Sequence, residues 1–184
     1  SYLVQLNLQS KFKKYSKIET PGGLRGYDVA RMMLEDYGVR GVRITCIEGQ
    51  LTDHYNPESN TVNLSKDVYN GTNITAASVA AHECGHAVQH AQAYAPVKMR
   101  SALVPIVQFS STIVSWVLLI GIILIETFPS ILLAGILLFA LSTLFSLVTL
   151  PVEIDASRRA LAWLENSGIT VGGTEEPARN ALKA

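Results

Sequence analysis

The 15 Lys and Arg residues of this 184-residue chain balance its 15 Asp and Glu residues, so its formal charge is zero. A chain without excess positive charge has no general attraction for phosphate backbones, which excludes nucleic-acid binding as a favoured function. Charged residues make up only 16% of the sequence, against roughly 25% in soluble domains, and segment 101–152 contains a single one, Glu126. We therefore expect a soluble part and a membrane part.

The chain opens with a basic segment. Its lysines are Lys11, Lys13, Lys14 and Lys17. This composition is typical of a segment that meets anionic lipid beside a membrane, and equally of a solvated run of charge. Because the sequence begins without Met and its last residues, 177–184, stop within a helical pattern, we expect a fragment of a longer protein.

A helix and a small sheet are predicted next. Residues 24–37 place apolar side chains at helical spacing and are followed by Gly38, which favours a helix C-terminus. Strands are predicted at 42–47, 51–55 and 61–65, and the last two flank the turn-like sequence Asn56-Pro57-Glu58-Ser59-Asn60. This pattern indicates a β-hairpin within the sheet.

A second long helix is predicted over residues 74–95. This segment is rich in Ala and follows two possible N-terminal caps, Asn73 and Thr75. We expect it to end at Pro96, because a proline ring is not tolerated in the interior of a helix.

This helix carries the sequence His82-Glu83-Cys84-Gly85-His86, an H-E-x-x-H motif. Residues four apart on a helix share a face, so both imidazoles could converge on one Zn²⁺ while Glu83 reaches a water on the metal. The alternative is two helix-surface histidines without a metal. A catalytic zinc needs three protein ligands, so the motif by itself is insufficient.

Two charge-free apolar runs, 103–125 and 131–150, follow the motif. Each has the roughly 20 residues that cross about 30 Å of hydrocarbon as a helix. Between them lies a short polar stretch with Pro129, which predicts an antiparallel transmembrane hairpin. The alternative is a hairpin buried in a large soluble core.

Basic residues flank this predicted hairpin on its outer ends. They are Lys98 and Arg100 before the first run and Arg158 and Arg159 after the second. The tip holds one acidic residue and no basic one, so the positive-inside rule places both ends in the cytoplasm.

Three residues could complete the metal shell. His90 lies about 12 Å along a straight helix from His82, too far to share one tetrahedral ion, and is expected to support the site or the fold. Cys84 lies about 200° around the helix from His82, so we expect a core thiol. Glu153 directly follows the second apolar run, so the hairpin returns it to the side of the membrane from which the chain entered. The alternative is a Glu at the membrane interface without a metal.

Further polar residues could support the site. Asp155 could accept a hydrogen bond from a ligating imidazole, or it pairs with Arg158 or Arg159. Arg158 is also a candidate for contact with a ligand side chain or with substrate. His54, in the first strand of the hairpin, could hydrogen-bond substrate or a developing oxyanion, or it is a solvated strand histidine.

The sequence closely resembles the YugP-like zinc-dependent membrane peptidases of bacteria. The matching motifs are Phe12-Lys13-Lys14-Tyr15-Ser16-Lys17, Leu51-Thr52-Asp53-His54-Tyr55-Asn56-Pro57, Ala80-Ala81-His82-Glu83-Cys84-Gly85-His86-Ala87-Val88-Gln89-His90-Ala91, Tyr94-Ala95-Pro96, Arg100-Ser101-Ala102-Leu103-Val104-Pro105 and Leu150-Pro151-Val152-Glu153-Ile154-Asp155-Ala156-Ser157-Arg158-Arg159-Ala160. The resemblance implies a zincin-type catalytic domain with His82 and His86 as ligands and Glu83 as general base. It also implies further membrane helices outside the present sequence.

A more distant likeness links the chain to the HtpX and CAAX-prenyl-protease group. That group also places a helix hairpin between H-E-x-x-H and a ligand Glu in an E-x-x-A-D sequence. By this likeness Glu153 takes the ligand position, and Ser157 stands where that group has Asp. Asp155 is a possible substitute for the missing carboxylate.

We therefore expect an α+β fold: a zincin-like catalytic domain with a small sheet and an H-E-x-x-H helix, interrupted by a transmembrane helical hairpin. The expected parts are a cytoplasmic catalytic part at 1–100, the hairpin at 101–152 and a return segment at 153–184 that completes the zinc site.

The expected function is hydrolysis of peptide bonds by a membrane-anchored zinc metalloendopeptidase with one Zn²⁺ per chain. Its partners would be a peptide or protein substrate and the lipid bilayer, with other membrane proteins left open. We expect a multi-pass protein of the bacterial cell membrane whose active site faces the cytoplasm. The alternatives are a non-catalytic membrane scaffold with a structural zinc, closed by His54 or His90, and a membrane binding module without metal.

Overall fold

The computed structural model describes residues 14–170 and 174–182. These residues form the helices α1 (Gly26–Asp36), α2 (Lys66–Tyr69), α3 (Ile74–Ala91), α4 (Ala95–Ile123), α5 (Pro129–Asn166) and α6 (Glu175–Leu182), and a 3₁₀ turn at Pro21–Gly23. They also form the strands β1 (Arg43–Ile47), β2 (His54–Asn56) and β3 (Thr61–Ser65). The predicted combination of helices with a small sheet is confirmed. Lys11 and Lys13 of the basic segment lie outside the described residues.

The sheet has the strand order β1-β3-β2. Strand β3 pairs in parallel with β1 and antiparallel with β2, so the predicted β-hairpin is confirmed and β2 forms one edge. The hairpin turn is held by the side chain of Asn56, whose Oδ1 accepts hydrogen bonds from the backbone N–H groups of Glu58 and Ser59. Asn side chains favour such turns because they replace a backbone acceptor.

The core of the soluble part forms where α1, α3, β3 and the C-terminal part of α5 pack together. Its fully buried side chains include Val29, Met33, Leu64, Ala80, Ala160 and Leu164. Trp163 of α5 adds a polar anchor, since its Nε1–H donates to Asp36 at the end of α1 over 2.8 Å. Cys84 is buried in this core, as predicted, and burial raises the pKa of its thiol.

The predicted beginning of helix α3 is confirmed, whereas its predicted end is wrong. Asn73 is its N-terminal cap, because its Oδ1 accepts a hydrogen bond from the backbone N–H of Ala76. The predicted end at residue 95 is wrong, since the helix stops at Ala91. Ala93 adopts a left-handed backbone conformation that ends the helical path, and Pro96 lies in the first turn of α4 instead of terminating α3.

Helix α4 contains the first predicted apolar run except for its last two residues, Leu124 and Ile125, and α5 contains the whole second run. Both helices are long and apolar enough to cross a membrane. Many of their large side chains are exposed, including Phe109, Trp116, Ile123 and Leu147. This exposure argues against the alternative of a hairpin buried in a soluble core.

Glycines bring α4 and α5 close together. A Cβ atom at Gly121 would lie 2.7 Å from the Cα atom of Leu132, and one at Gly135 would lie 2.7 Å from a side-chain atom of Leu118. Small residues allow such close backbone approach between apolar helices. The segment Ala93–Glu153 forms one compact unit, and the rest of the described chain forms a second.

Candidate metal centre

The two motif histidines lie on one face of α3, as their spacing predicts. The ring centroids of His82 and His86 are 4.8 Å apart and the rings are nearly perpendicular. Both side chains are partly buried, whereas the Ala residues on other faces of α3 are fully buried in the core. The helix therefore presents its imidazoles at the boundary between core and solvent, where an ion can reach them.

Gly85 brings the C-terminal part of α5 against α3 beside these histidines. A Cβ atom at this position would lie 2.8 Å from the carbonyl oxygen of Ala156 and 3.2 Å from its Cα atom, so only glycine permits the contact. One residue further along α5, the Oγ atom of Ser157 lies 3.2 Å from Nδ1 of His82. This turn of α5 is therefore fixed directly beside the H-E-x-x-H motif.

Glu153 precedes Ser157 by four residues on the same continuous helix, so both side chains share one face of α5. The ligand atoms of His82, His86 and Glu153 all lie within 4.8 Å of one another. Two imidazoles and one carboxylate form the donor set of many catalytic zinc sites, in which water takes the fourth position. The residues present could thus hold a zinc ion.

The carboxylate of Glu83 is held by the edge of the sheet. Its Oε2 accepts a hydrogen bond of 3.0 Å from the backbone N–H of Tyr55 on β2. Glu83 is only 9% exposed, so the surrounding residues restrict the movement of its side chain. The N–H of Tyr55 points away from β3 and towards the motif. The spacing of residues in the sequence could not indicate this contact.

The imidazole of His86 has a partner that the sequence analysis missed. Its Nδ1 lies 3.1 Å from Oε1 of Gln89, and Nε2 of Gln89 donates to Oδ2 of Asp155 over 2.8 Å. Asp155 also pairs with Arg159 at 2.6 Å. The predicted contact of Asp155 with an imidazole is therefore indirect, and its predicted ion pair is made with Arg159.

Two more residues near the centre were missed as site residues. Ser157, noted only as a departure at the position where the related group has Asp, contacts His82 directly. Arg100 pairs with Glu153, with 3.1 Å between Nη1 and Oε1. Helical spacing could have indicated two of these residues. Gln89 lies three residues after His86 and Ser157 four after Glu153, and both spacings place the two side chains on one helix face.

Three predicted candidates lie apart from the group that could hold a metal. His90 is exposed, with its Nδ1 3.5 Å from the hydroxyl of Tyr55. His54 is also exposed; its Nδ1–H donates to the carbonyl of Thr52, and its Nε2 accepts from Asn63. These contacts favour the interpretation of His54 as a strand-surface histidine.

Arg158 is the third of these candidates. Its side chain is exposed, and the neighbouring Arg159 is the residue that pairs with Asp155. A role for Arg158 in substrate contact stays a prediction.

Comparison with known proteins places the chain in a family. The model of a family described as "putative neutral zinc metallopeptidase" matches residues 1–184, and the chain belongs to this family. The chain is also 38% identical over 184 residues to the "putative membrane protease YugP" of Bacillus subtilis (strain 168), covering all of this chain and 81% of that protein. The resemblance noted from the sequence motifs is thereby confirmed. No solved structure matches the chain.

The close contact between Gly85 and Ala156 can be tested by adding a methyl group at position 85. In Gly85→Ala the new methyl group meets backbone atoms that cannot rotate away, so we expect a loss of about 2 kcal/mol in the free energy of unfolding of the metal-free protein. Because α5 must shift, zinc affinity should also fall, as measured by competition with a chelator. Unchanged stability and zinc affinity would contradict the packing described here.

Proposed function

We propose that this chain is the catalytic part of a membrane-anchored zinc endopeptidase. The observation that carries the proposal is the convergence of His82, His86 and Glu153 within 4.8 Å beside the buried carboxylate of Glu83. Membership of a family described as zinc metallopeptidases supports the same reaction class. In this proposal the catalytic part is zincin-like, with the motif helix packed below the edge of a small sheet.

His82, His86 and Glu153 are assigned as the ligands of one Zn²⁺ per chain. When bound there, zinc supplies the Lewis acidity that polarises the scissile carbonyl and acidifies a water molecule. The three residues leave room in a four-coordinate shell for that water. Arg100, which contacts Oε1 of Glu153, orients the carboxylate and partly balances its charge.

Glu83 is assigned as the general base. The backbone N–H of Tyr55 donates to Oε2 and thereby orients the carboxylate. Glu83 takes a proton from water as the peptide carbonyl is attacked and then delivers it to the leaving amine nitrogen. The hydrogen bond from β2 keeps the carboxylate from rotating during both transfers.

The outer edge of β2 is assigned to substrate binding. This strand is at the edge of the sheet, and Tyr55 lies directly beside the carboxylate of Glu83. Because the N–H of Tyr55 already donates to Glu83, an extended peptide would add to this edge through the backbone carbonyl groups, which hold a substrate without selecting its side chains. Such binding would bring a scissile bond past the base.

A structural zinc in a non-catalytic scaffold is the alternative function. A structural site is closed by four protein ligands, and the expected closing residues were His54 and His90. Among the described residues, the group that could hold a metal contains neither of them. Both histidines are exposed and contact residues of the sheet, which favours the catalytic assignment.

Helices α4 and α5 are assigned to a transmembrane hairpin that joins the two halves of the catalytic part. Their length, their apolar exposed surface and the close approaches at Gly121 and Gly135 support this assignment. By the positive-inside rule, the basic residues at the outer ends support a site that faces the cytoplasm. We assign the chain to a multi-pass protein of the bacterial cell membrane. The proposed division is 1–100, 101–152 and 153–184.

Replacing Glu83 by Gln tests the catalytic assignment. We expect Glu83→Gln to retain zinc and fold but to lose about 10²- to 10⁴-fold or more in peptide hydrolysis, because an amide cannot act as the base. Cleavage of a quenched-fluorescence peptide library would be measured alongside zinc content. Glu58→Gln, at the exposed hairpin turn, is the matched control. Equal turnover by Glu83→Gln and the wild type would exclude Glu83 from this role.

The third ligand is tested by comparing Glu153 with His90. Glu153→Ala should weaken zinc binding far more than His90→Ala, because only Glu153 offers a ligand atom to the group. Glu153→His should restore part of the affinity, since imidazole is also a competent zinc ligand. The dissociation constants would come from chelator competition, and loss of zinc only in His90→Ala would overturn the ligand assignment.

The hairpin is tested by cysteine accessibility. Single cysteines at Lys98, Ser130 and Arg158, which are all exposed, would be introduced into a Cys46→Ser background, where buried Cys84 is shielded from reagents. Positions 98 and 158 should react from the cytoplasmic side and position 130 from the opposite side. Labelling of all three from one side would show that α4 and α5 do not both cross the membrane.

A further inference from the structure

Gln89 is a fully buried amide beside the proposed metal centre. It follows His86 by three residues on α3, so the two side chains share a face of the helix. Its carbonyl oxygen lies 3.1 Å from Nδ1 of His86, and its amide nitrogen donates to Asp155 over 2.8 Å. A buried amide must satisfy its polar atoms within the protein, because an unpaired one is costly.

Arg159 determines the direction in which this amide is oriented. Its guanidinium donates through Nε to the same Oδ2 atom of Asp155 that Gln89 contacts. A carboxylate in an ion pair only accepts hydrogen bonds, so the NH₂ group of Gln89 must face Asp155. The opposite orientation would place the amide carbonyl against the carboxylate, with two acceptors in contact.

This orientation has a consequence for His86. Because the NH₂ group faces Asp155, the carbonyl oxygen of Gln89 faces Nδ1 of His86 and can only accept. The proton of the neutral imidazole is therefore on Nδ1, which leaves the lone pair of Nε2 for a metal. We propose that Arg159, Asp155 and Gln89 form a polar relay that fixes the tautomer and orientation of His86 for zinc, with Gln89 as the positioning residue.

The other motif histidine is held differently. Nδ1 of His82 lies beside the hydroxyl group of Ser157, and a hydroxyl can either donate or accept. The relay thus imposes one tautomer on His86, whereas the contact of His82 imposes none. The relay of His86 draws on both helices, with Gln89 on α3 and Asp155 and Arg159 on α5.

The inference rests on the zinc site proposed above, and substitutions that reverse the polarity of the relay test it. Gln89→Leu removes the relay at similar volume, and Gln89→Glu places a second carboxylate against Asp155. Each should weaken zinc binding by about 10- to 100-fold. In Gln89→Glu combined with Asp155→Asn, a turn of the new amide at position 155 lets its carbonyl oxygen accept from Arg159 while its NH₂ group donates to the new carboxylate at position 89, so the double variant should recover part of the affinity.

Gln50→Leu is the matched control. Gln50 is an exposed amide whose side chain contacts Asp67, so the zinc dissociation constant of this variant should equal that of the wild type. Thermal unfolding of the metal-free variants separates a loss of fold from a loss of ligand orientation. A purely structural role for Gln89 would lower stability without selective rescue of zinc affinity by the double variant.

Nitrogen NMR of ¹⁵N-histidine-labelled, metal-free protein gives a readout that does not depend on zinc. His86 should be protonated on Nδ1 in the wild type and in the double variant, and should populate both tautomers in Gln89→Leu. Wild-type zinc affinity in Gln89→Leu, or an Nε2-protonated His86 in the wild type, would overturn the relay. A wild type that shows the Nδ1 tautomer and binds no zinc would overturn the proposed function while leaving the relay intact.

Discussion

The close approach of α3 and α5 at Gly85 is the constraint on which the rest of the centre depends. A methyl group at this position would overlap the backbone of Ala156, so the two helices can lie this close only because Gly85 has no side chain. The same approach brings Ser157 to His82 and Asp155 to Gln89. The glycine inside the motif thus sets the distance across which α5 makes its polar contacts with α3.

The helix α5 and the sheet support different residues of the centre. Ser157 of α5 contacts His82, and Asp155 of α5 contacts Gln89, which in turn contacts His86. The carboxylate of Glu83 is held instead by the backbone N–H of Tyr55 on β2. Since the general base and the ligands have separate supports, a change in one support need not displace the other. A site with fixed donors and acceptors loses little free energy to reorganisation during reaction.

The sequence predicted the parts of the centre that follow from helical periodicity. His82 and His86 were predicted by their i, i+4 spacing, and Glu153 by its return at the end of the second apolar run. Gln89 was missed because its role depends on Asp155, 66 residues away. The contact of Glu83 was missed because its donor is a backbone N–H of Tyr55, which no residue pattern encodes. The end of α3 was misplaced because Pro96 was interpreted as a terminator when it starts the next helix.

Zinc-edge X-ray absorption of the purified wild-type protein tests the central claim most directly. We expect one zinc per chain, with nitrogen and oxygen scatterers at about 2.0 to 2.2 Å, two of them imidazoles, and without a sulfur scatterer. A sulfur atom near about 2.3 Å would indicate a cysteine ligand, and a shell with more than two imidazoles would indicate a site closed by further histidines. Either result would contradict a centre built from His82, His86 and Glu153.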